Sequence, residues 1–220
     1  MSEVRLLAWS EDAPGTAVEE AAALLARGEV VAHPTETVYG VAAVATHREA
    51  YARMLAIKGG TAPRPFLVLF DSRERLHEAV GELPPGGEAL AEEFWPGPLT
   101  LLVPAPADLA DWWSGPEGHV AVRVTPHPFC RSLIRRLAAP VLSSSANRAA
   151  RPAPFDAPSI KAELAGTGLA LIVDAGPLVG APSTLLRWTD CEWEIVRRGP
   201  VSRAEVARVL GGDASLPALR

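Results

Sequence analysis

Residues 30–40 read Val30-Val31-Ala32-His33-Pro34-Thr35-Glu36-Thr37-Val38-Tyr39-Gly40: an apolar run, a proline, then two hydroxyls, a carboxylate and a phenol. A short apolar stretch bounded by turn residues reads as a buried strand. The polar residues after Pro34 then fall on the exit from that strand, where α/β sheets place their ligands. On composition alone a threonine-rich turn explains this exit as well as a ligand site does.

Working outward, the same grammar recurs. Thr16 and Glu19 have capping-box spacing before an Ala/Leu-rich helix over 17–27, which Gly28 stops. Thr46 with Glu49 predicts a second helix running to about Ile57. A strand follows over 66–70, Asp71 opens a third helix, and the Pro/Gly loop at 84–87 precedes a fourth. Strands are expected over 99–103, 120–124, 140–142, 170–173, 183–187 and 194–196, and a helix over 128–137. Ser202 and Glu205 form another capping box, opening a last helix over 203–210 that ends at Gly211-Gly212. Strands and helices mix without strict alternation. The expectation is a single domain of α/β class, with α+β-like mixing, around a twisted mixed sheet flanked by helices. Residues 1–13 are an extension or first strand, 14–210 the domain, and 211–220 a tail.

The bulk numbers bound the function. The chain has 220 residues, 48% hydrophobic and 21% charged, enough to bury a core. Its net charge of −5 disfavours a nucleic-acid scaffold, although a local basic pocket for a nucleotide remains open. Cys130 and Cys191 stand alone, which speaks against a zinc site and a disulfide framework and for a reduced, cytoplasmic setting. No stretch approaches the roughly 18 apolar residues of a membrane span, and the N-terminus lacks the apolar core of a signal peptide.

Four further segments carry polar chemistry. Lys58-Gly59-Gly60, with Arg64 beyond it, offers an ammonium and a guanidinium for phosphates, although taken alone it reads better as glycine capping of a helix with lysine favouring the dipole. Ser143-Ser144-Ser145-Ala146-Asn147 follows a strand and can cradle an anion with hydroxyls, an amide and backbone N–H groups, or serve as a plain loop. Phe94-Trp95-Pro96-Gly97-Pro98-Leu99-Thr100 reads as a structural turn with a packed tryptophan. Arg123 ends an apolar strand and needs an anionic partner, from a ligand or from within the chain. The five histidines have no metal-ligand spacing and read as surface or loop residues. P-loop, dinucleotide and nucleophile-elbow motifs are all missing.

In their order and spacing these segments resemble the YrdC/TsaC family of threonylcarbamoyl-AMP synthases. The matching text is PTETVYG at 34–40, Lys58, FWPGPLT at 94–100, VAVR at 120–123, His127-Pro128, SSSAN at 143–147, GAPST at 180–184 and VRRGP at 196–200. The resemblance covers about residues 14–210. It implies a largely parallel, YrdC-like sheet and the short form without the extra C-terminal domain of longer members. It implies a nucleotidyltransferase taking L-threonine, bicarbonate and ATP, with Mg2+ accompanying ATP. The product would pass to a separate tRNA threonylcarbamoyl transferase complex, with a weak RNA contact at most and no membrane. By position, Thr35, Thr37, Arg123 and Ser183 would hold L-threonine. Lys58, Arg64, Ser143, Ser145, Asn147 and Arg197 would hold ATP, with Lys58, Arg64, Ser145 and Asn147 nearest the chemistry.

One departure matters. Where the family reads Lys-x-Arg-Pro, this chain reads Lys58-Gly59-Gly60-Thr61. Loss of a charge-assisted phosphate contact costs on the order of 1.5–3 kcal/mol, and Arg64 is the expected substitute. The altered loop keeps alternatives open: a paralogue that binds nucleotide or RNA without this catalysis, or one that acts on another amine.

Overall fold

The computed structural model describes residues 4–60 and 65–211. They form ten strands and seven helices of a mixed α/β protein, in two units. The first comprises Met1–Pro63 and His127–Gly180, the second Arg64–Pro126 and Ala181–Arg220.

In the first unit the strands are β1 (Arg5–Ala8), β2 (Val31–His33), β3 (Gly40–Val44), β7 (Val141–Ser145) and β8 (Leu171–Asp174). They run in the order β1-β8-β2-β3-β7. The β1–β8 and β8–β2 pairs are parallel, whereas β2–β3 and β3–β7 are antiparallel. Helices α1 (Ala17–Ala26), α2 (Arg48–Ile57), α5 (Pro128–Leu137) and α6 (Ala157–Glu163) complete the unit. Its core joins Leu25, Met54, Phe129, Leu133 and Ile134 to the fully buried β2 and β3. A strand buried on both faces reads as a continuous apolar run, which is what 41–45 shows.

The second unit holds β4 (Leu67–Phe70), β5 (Leu99–Pro104), β6 (His119–Val124), β9 (Thr184–Thr189) and β10 (Glu192–Arg197), in the order β4-β6-β5-β9-β10. Here β4–β6 and β5–β9 are parallel, and β6–β5 and β9–β10 antiparallel. Its helices are α3 (Arg73–Val80), α4 (Gly87–Phe94) and α7 (Arg203–Val209). The turn between α4 and β5 contains a cis Trp95–Pro96 bond, and the Trp95 indole N–H donates to the Leu99 carbonyl at 2.6 Å. A Cβ on Gly97 would lie 2.2 Å from the Phe94 oxygen, so the Pro-Gly-Pro turn needs its glycine for space. The structural reading of 94–100 fits this packing.

Within the two units the sheet is mixed as expected, with four parallel and four antiparallel pairings among the described residues. Several local expectations are corrected. Thr16 is the N-cap of α1, but its hydroxyl bonds Glu20 at 3.2 Å and caps no backbone N–H. The cap of α2 is His47, one residue beyond Thr46, without a side-chain bond. Ser72 rather than Asp71 caps α3, accepting from the Arg75 N–H at 3.3 Å. The capping box of Ser202 and Glu205 is present. Strand β3 and helix α6 were not foreseen, and Ser143–Ser145 lie within β7 instead of following it. Arg64 lies outside the described residues. No helix among them is long and apolar enough to cross a membrane.

Candidate active site

In the first unit, β2 delivers the chain into the turn at Pro34, and Thr35 holds that turn together. Its hydroxyl donates to the Val38 carbonyl at 2.6 Å and accepts from the backbone N–H of Thr37 and Val38 at 3.1 and 3.2 Å. The Thr37 hydroxyl lies 2.9 Å away. Thr35 is thus consumed by the turn, a local side-chain-to-backbone pattern that threonine favours, while Thr37 keeps hydrogen-bonding capacity. Both are buried. The backbone at Gly180 presses on Thr37, and a Cβ there would meet the Thr37 oxygen at 2.0 Å. Tyr39, fully buried, donates to the Gly176 carbonyl at 2.6 Å and accepts from the Ala175 N–H. Burial raises its pKa.

Strand β7 brings a second group beside this turn. Ala146 N–H donates to the Tyr39 carbonyl at 2.8 Å. Lys58, at the end of α2, is buried, and its ammonium donates to the Ser145 carbonyl. The Ala149 N–H returns to the Lys58 carbonyl at 3.1 Å. Lys58 and the 145–149 segment are therefore tied by both side chain and backbone. Asn147 gives its amide N–H groups to the carbonyls of Arg148 and Arg151 at 2.8 and 2.5 Å. That fixes which end of the amide is which, and leaves its Oδ1 buried without a partner among the described residues. A buried acceptor so oriented is suited to a ligand donor.

In the second unit, Arg123 sits near the end of β6 and is almost fully buried. Ser183, just before β9, is held on two sides. Its hydroxyl lies 2.8 Å from that of Thr100 on β5 and accepts from Arg197 Nη2 at 3.1 Å. Arg197 Nε also donates to the Ser183 carbonyl at 3.0 Å. The Gly199 backbone closes on this turn, since a Cβ there would lie 2.3 Å from the Thr184 nitrogen. Desolvation, and then the positive charge of Arg123, lower the Arg197 pKa. A guanidinium held against two hydroxyls, with a second positive charge within electrostatic reach, suits an anionic ligand.

The structure thus joins Thr35 with Thr37, Lys58 with Ser145, and Arg197 with Ser183. Two residues escaped the sequence reading. His33 is fully buried in β2, not a surface or loop residue as expected, and bonds Ser143 at 3.1 Å. Its place in the apolar run 30–33 was the available signal. Thr100 was assigned to a structural turn, yet its hydroxyl meets Ser183. Among the described residues no three His, Cys, Asp or Glu side chains group as metal ligands.

A family model described as "Telomere recombination" and named for Sua5, YciO and YrdC matches residues 23–199. A threonylcarbamoyl-AMP synthase of Bacillus subtilis is 35% identical over 88% of this chain and 56% of its own length. One from Pyrococcus abyssi is 34% identical over 90% of this chain and 58% of its own. The chain spans rather more than half the length of these relatives. The crystal structure of P. abyssi Sua5 complexed with L-threonine superposes with a TM-score of 0.85 at 30% identity, over 96% of this chain and 62% of that one. With a match that runs from within α1 past β10, the chain belongs to the Sua5/YciO/YrdC family.

Proposed function

We propose that this chain forms L-threonylcarbamoyl-AMP and pyrophosphate from L-threonine, bicarbonate and ATP, for threonylcarbamoylation of adenosine 37 in tRNAs by a separate transferase complex. A cytoplasmic setting goes with this reading. The observation that carries it is Arg197 bonded to the Ser183 hydroxyl and carbonyl, beside the Thr100 hydroxyl, in the unit that also buries Arg123. The relative complexed with L-threonine supports that amino acid as the substrate.

In the reaction, the threonine amine takes up CO2 from bicarbonate as a carbamate. A carbamate oxygen then bonds to the α-phosphorus of ATP while the bond to pyrophosphate breaks, and water is the other product. The protein need supply no nucleophile, only orientation and charge neutralisation. ATP enters as its magnesium complex, a substrate whose cation keeps phosphate oxygens and water as ligands. In the second unit, Arg123 takes the threonine carboxylate through its planar fork, Ser183 adds a hydroxyl, and Arg197 faces phosphate. In the first, Lys58 neutralises phosphate charge, and Ser143, Ser145 and Asn147 hold the nucleotide. Thr37 contributes to threonine binding, and Thr35 does so by setting the turn. Arg64 supplies the guanidinium that Gly60 lacks.

Pyrophosphate release from MgATP tests this. Release that requires both threonine and bicarbonate is expected, falling at least 100-fold in Arg123→Ala, with Arg64→Ala raising the KM for ATP. Gly60 favours a second reading, a paralogue with another amine substrate. Release that depends on a different amine would establish it.

A further inference from the structure

Thr100 carries a hydroxyl that the packing of its own unit does not need. It lies on β5 opposite Leu185 of β9, is 3% exposed, and its hydroxyl is 2.8 Å from that of Ser183, which is 2% exposed. The turn that bears Ser183 is tied down by other bonds. The Thr184 N–H donates to the Pro98 carbonyl at 3.0 Å. The Thr184 hydroxyl donates to the Val201 carbonyl at 2.7 Å and accepts from the Val201 N–H at 3.0 Å. Arg197 Nε donates to the Ser183 carbonyl at 3.0 Å. A role in holding the turn therefore leaves the Thr100 hydroxyl unexplained.

The hydrogen count of the two hydroxyls does not close. A guanidinium has no lone pair, so Ser183 Oγ accepts from Arg197 Nη2. The bond between Ser183 and Thr100 runs in either direction with the same balance. One hydroxyl hydrogen goes to the other oxygen, and the second has no acceptor among the described residues. A buried donor without an acceptor is costly. The group that completes the pair is thus an acceptor oxygen. Arg197 keeps further N–H groups beyond the two spent on Ser183, and Arg123 is buried in the same unit, so an anionic oxygen fits best. Ser183 is the hydroxyl that touches the guanidinium, and an anion gains most there.

Resting on the synthase reading, we propose that Thr100 is a positioning residue that turns Ser183 into a hydrogen-bond donor toward an anionic ligand oxygen. With the ligand in place, Thr100 donates to Ser183. Arg197 and Thr100 then fill both lone pairs of Ser183 Oγ, and its one hydrogen goes to the ligand. Every hydroxyl hydrogen of the pair is then satisfied, and Thr100 itself does not touch the ligand. The oxygen belongs to the amino-acid carboxylate or to a phosphate of the nucleotide, acceptors that in ionised form have no hydrogen to give.

The test measures equilibrium binding of L-threonine and, separately, of MgATP to the full chain by titration calorimetry. The variants are Thr100→Val, Thr100→Ser, Ser183→Ala and the double variant Ser183→Ala with Thr100→Val. Val keeps the branched shape without the hydroxyl, and Ser keeps the hydroxyl. Loss of one neutral hydrogen bond predicts roughly 3- to 10-fold weaker binding of one of the two ligands in Thr100→Val. Loss of a bond to a charged group predicts at least about 10-fold weaker binding of the same ligand in Ser183→Ala. The double variant should bind no more weakly than Ser183→Ala, and Thr100→Ser should bind as the wild type does. The ligand that is affected tells carboxylate from phosphate, and the other should bind unchanged.

A Thr100→Val protein that binds both ligands as the wild type does would overturn the proposal, as would equal losses for the two. So would a Thr100→Val loss as large in the Ser183→Ala background as in the wild type, since Thr100 would then act on the ligand without Ser183. These readouts need no catalysis. Predicted binding without threonine-dependent pyrophosphate release would sink the synthase reading and leave this one standing. Wild-type protein that binds neither ligand would overturn both.

Discussion

At Gly180 a single hydrogen in place of a side chain keeps Thr37 where it is. The φ there is not restrictive; the space is, because a Cβ would enter the backbone oxygen of Thr37 at 2.0 Å. Gly180→Ala must push the 34–40 turn aside. Overpacking of this kind costs typically 1–3 kcal/mol, and displacement of Thr37 should raise the KM for threonine more than that for ATP. Thermal unfolding and the two KM values check this; an unchanged threonine KM would dissociate Thr37 from substrate binding. The residue scale is also where reading from sequence alone was weakest. Arg123 stood out because a charge among apolar neighbours needs a partner, Thr37 and Asn147 because they fall in polar segments after strands, and Lys58 and Ser183 took their roles from the resemblance. That Thr35 spends its hydroxyl on its own turn, or that His33 is sealed in β2, depends on hydrogen-bond directions and on strands distant in sequence.

Elements were legible where local chemistry decides them. Helix α5 was bounded correctly because Pro128 opens it and an alternation of apolar and basic residues carries it to Leu137. The Ser202–Glu205 box was read correctly because both halves of the signal are local. Strand β3 was missed because five residues of glycine, valine and alanine carry no period; its identity comes from pairing with β2 and β7. The same pairing draws Ser143, Ser144 and Ser145 into β7 against their weak strand preference. Cap positions slipped by one at α2 and α3, where adjacent residues could both serve. The Ser72 cap gives a prediction: Ser72→Ala should lower the unfolding free energy by about 1 kcal/mol, whereas Asp71→Asn should not reproduce that loss. Denaturant unfolding of both variants decides between them.

For the whole molecule, charge and burial set the response to pH. His127 packs on Trp9, with ring centroids 5.3 Å apart, and burial lowers its pKa below 6.5 despite the opposing field of Glu36. The unfolded chain therefore binds the His127 proton more readily than the folded one. Stability from this source is complete above about pH 6.5 and is lost as pH falls from there toward the lowered folded value. Melting temperatures between pH 7.5 and 5 should fall less steeply in His127→Phe than in the wild type. Parallel curves would show that the ring titrates as it does in the unfolded chain. The mixed α/β class and the family were legible across nearly the full length, since the motifs sit at strand ends in an order that survives divergence. Which strands pair, and in which direction, was not, because register between distant strands leaves no local mark.

The central claim concerns a product rather than a fold. Incubation of the full chain with MgATP, L-threonine and labelled bicarbonate, followed by chromatography, tests it most directly. The account predicts label in a threonylcarbamoyl-adenylate, formed in equal amount with pyrophosphate and missing in Arg123→Ala. Pyrophosphate without a labelled adenylate, or a labelled adenylate that forms only with another amine, would contradict it.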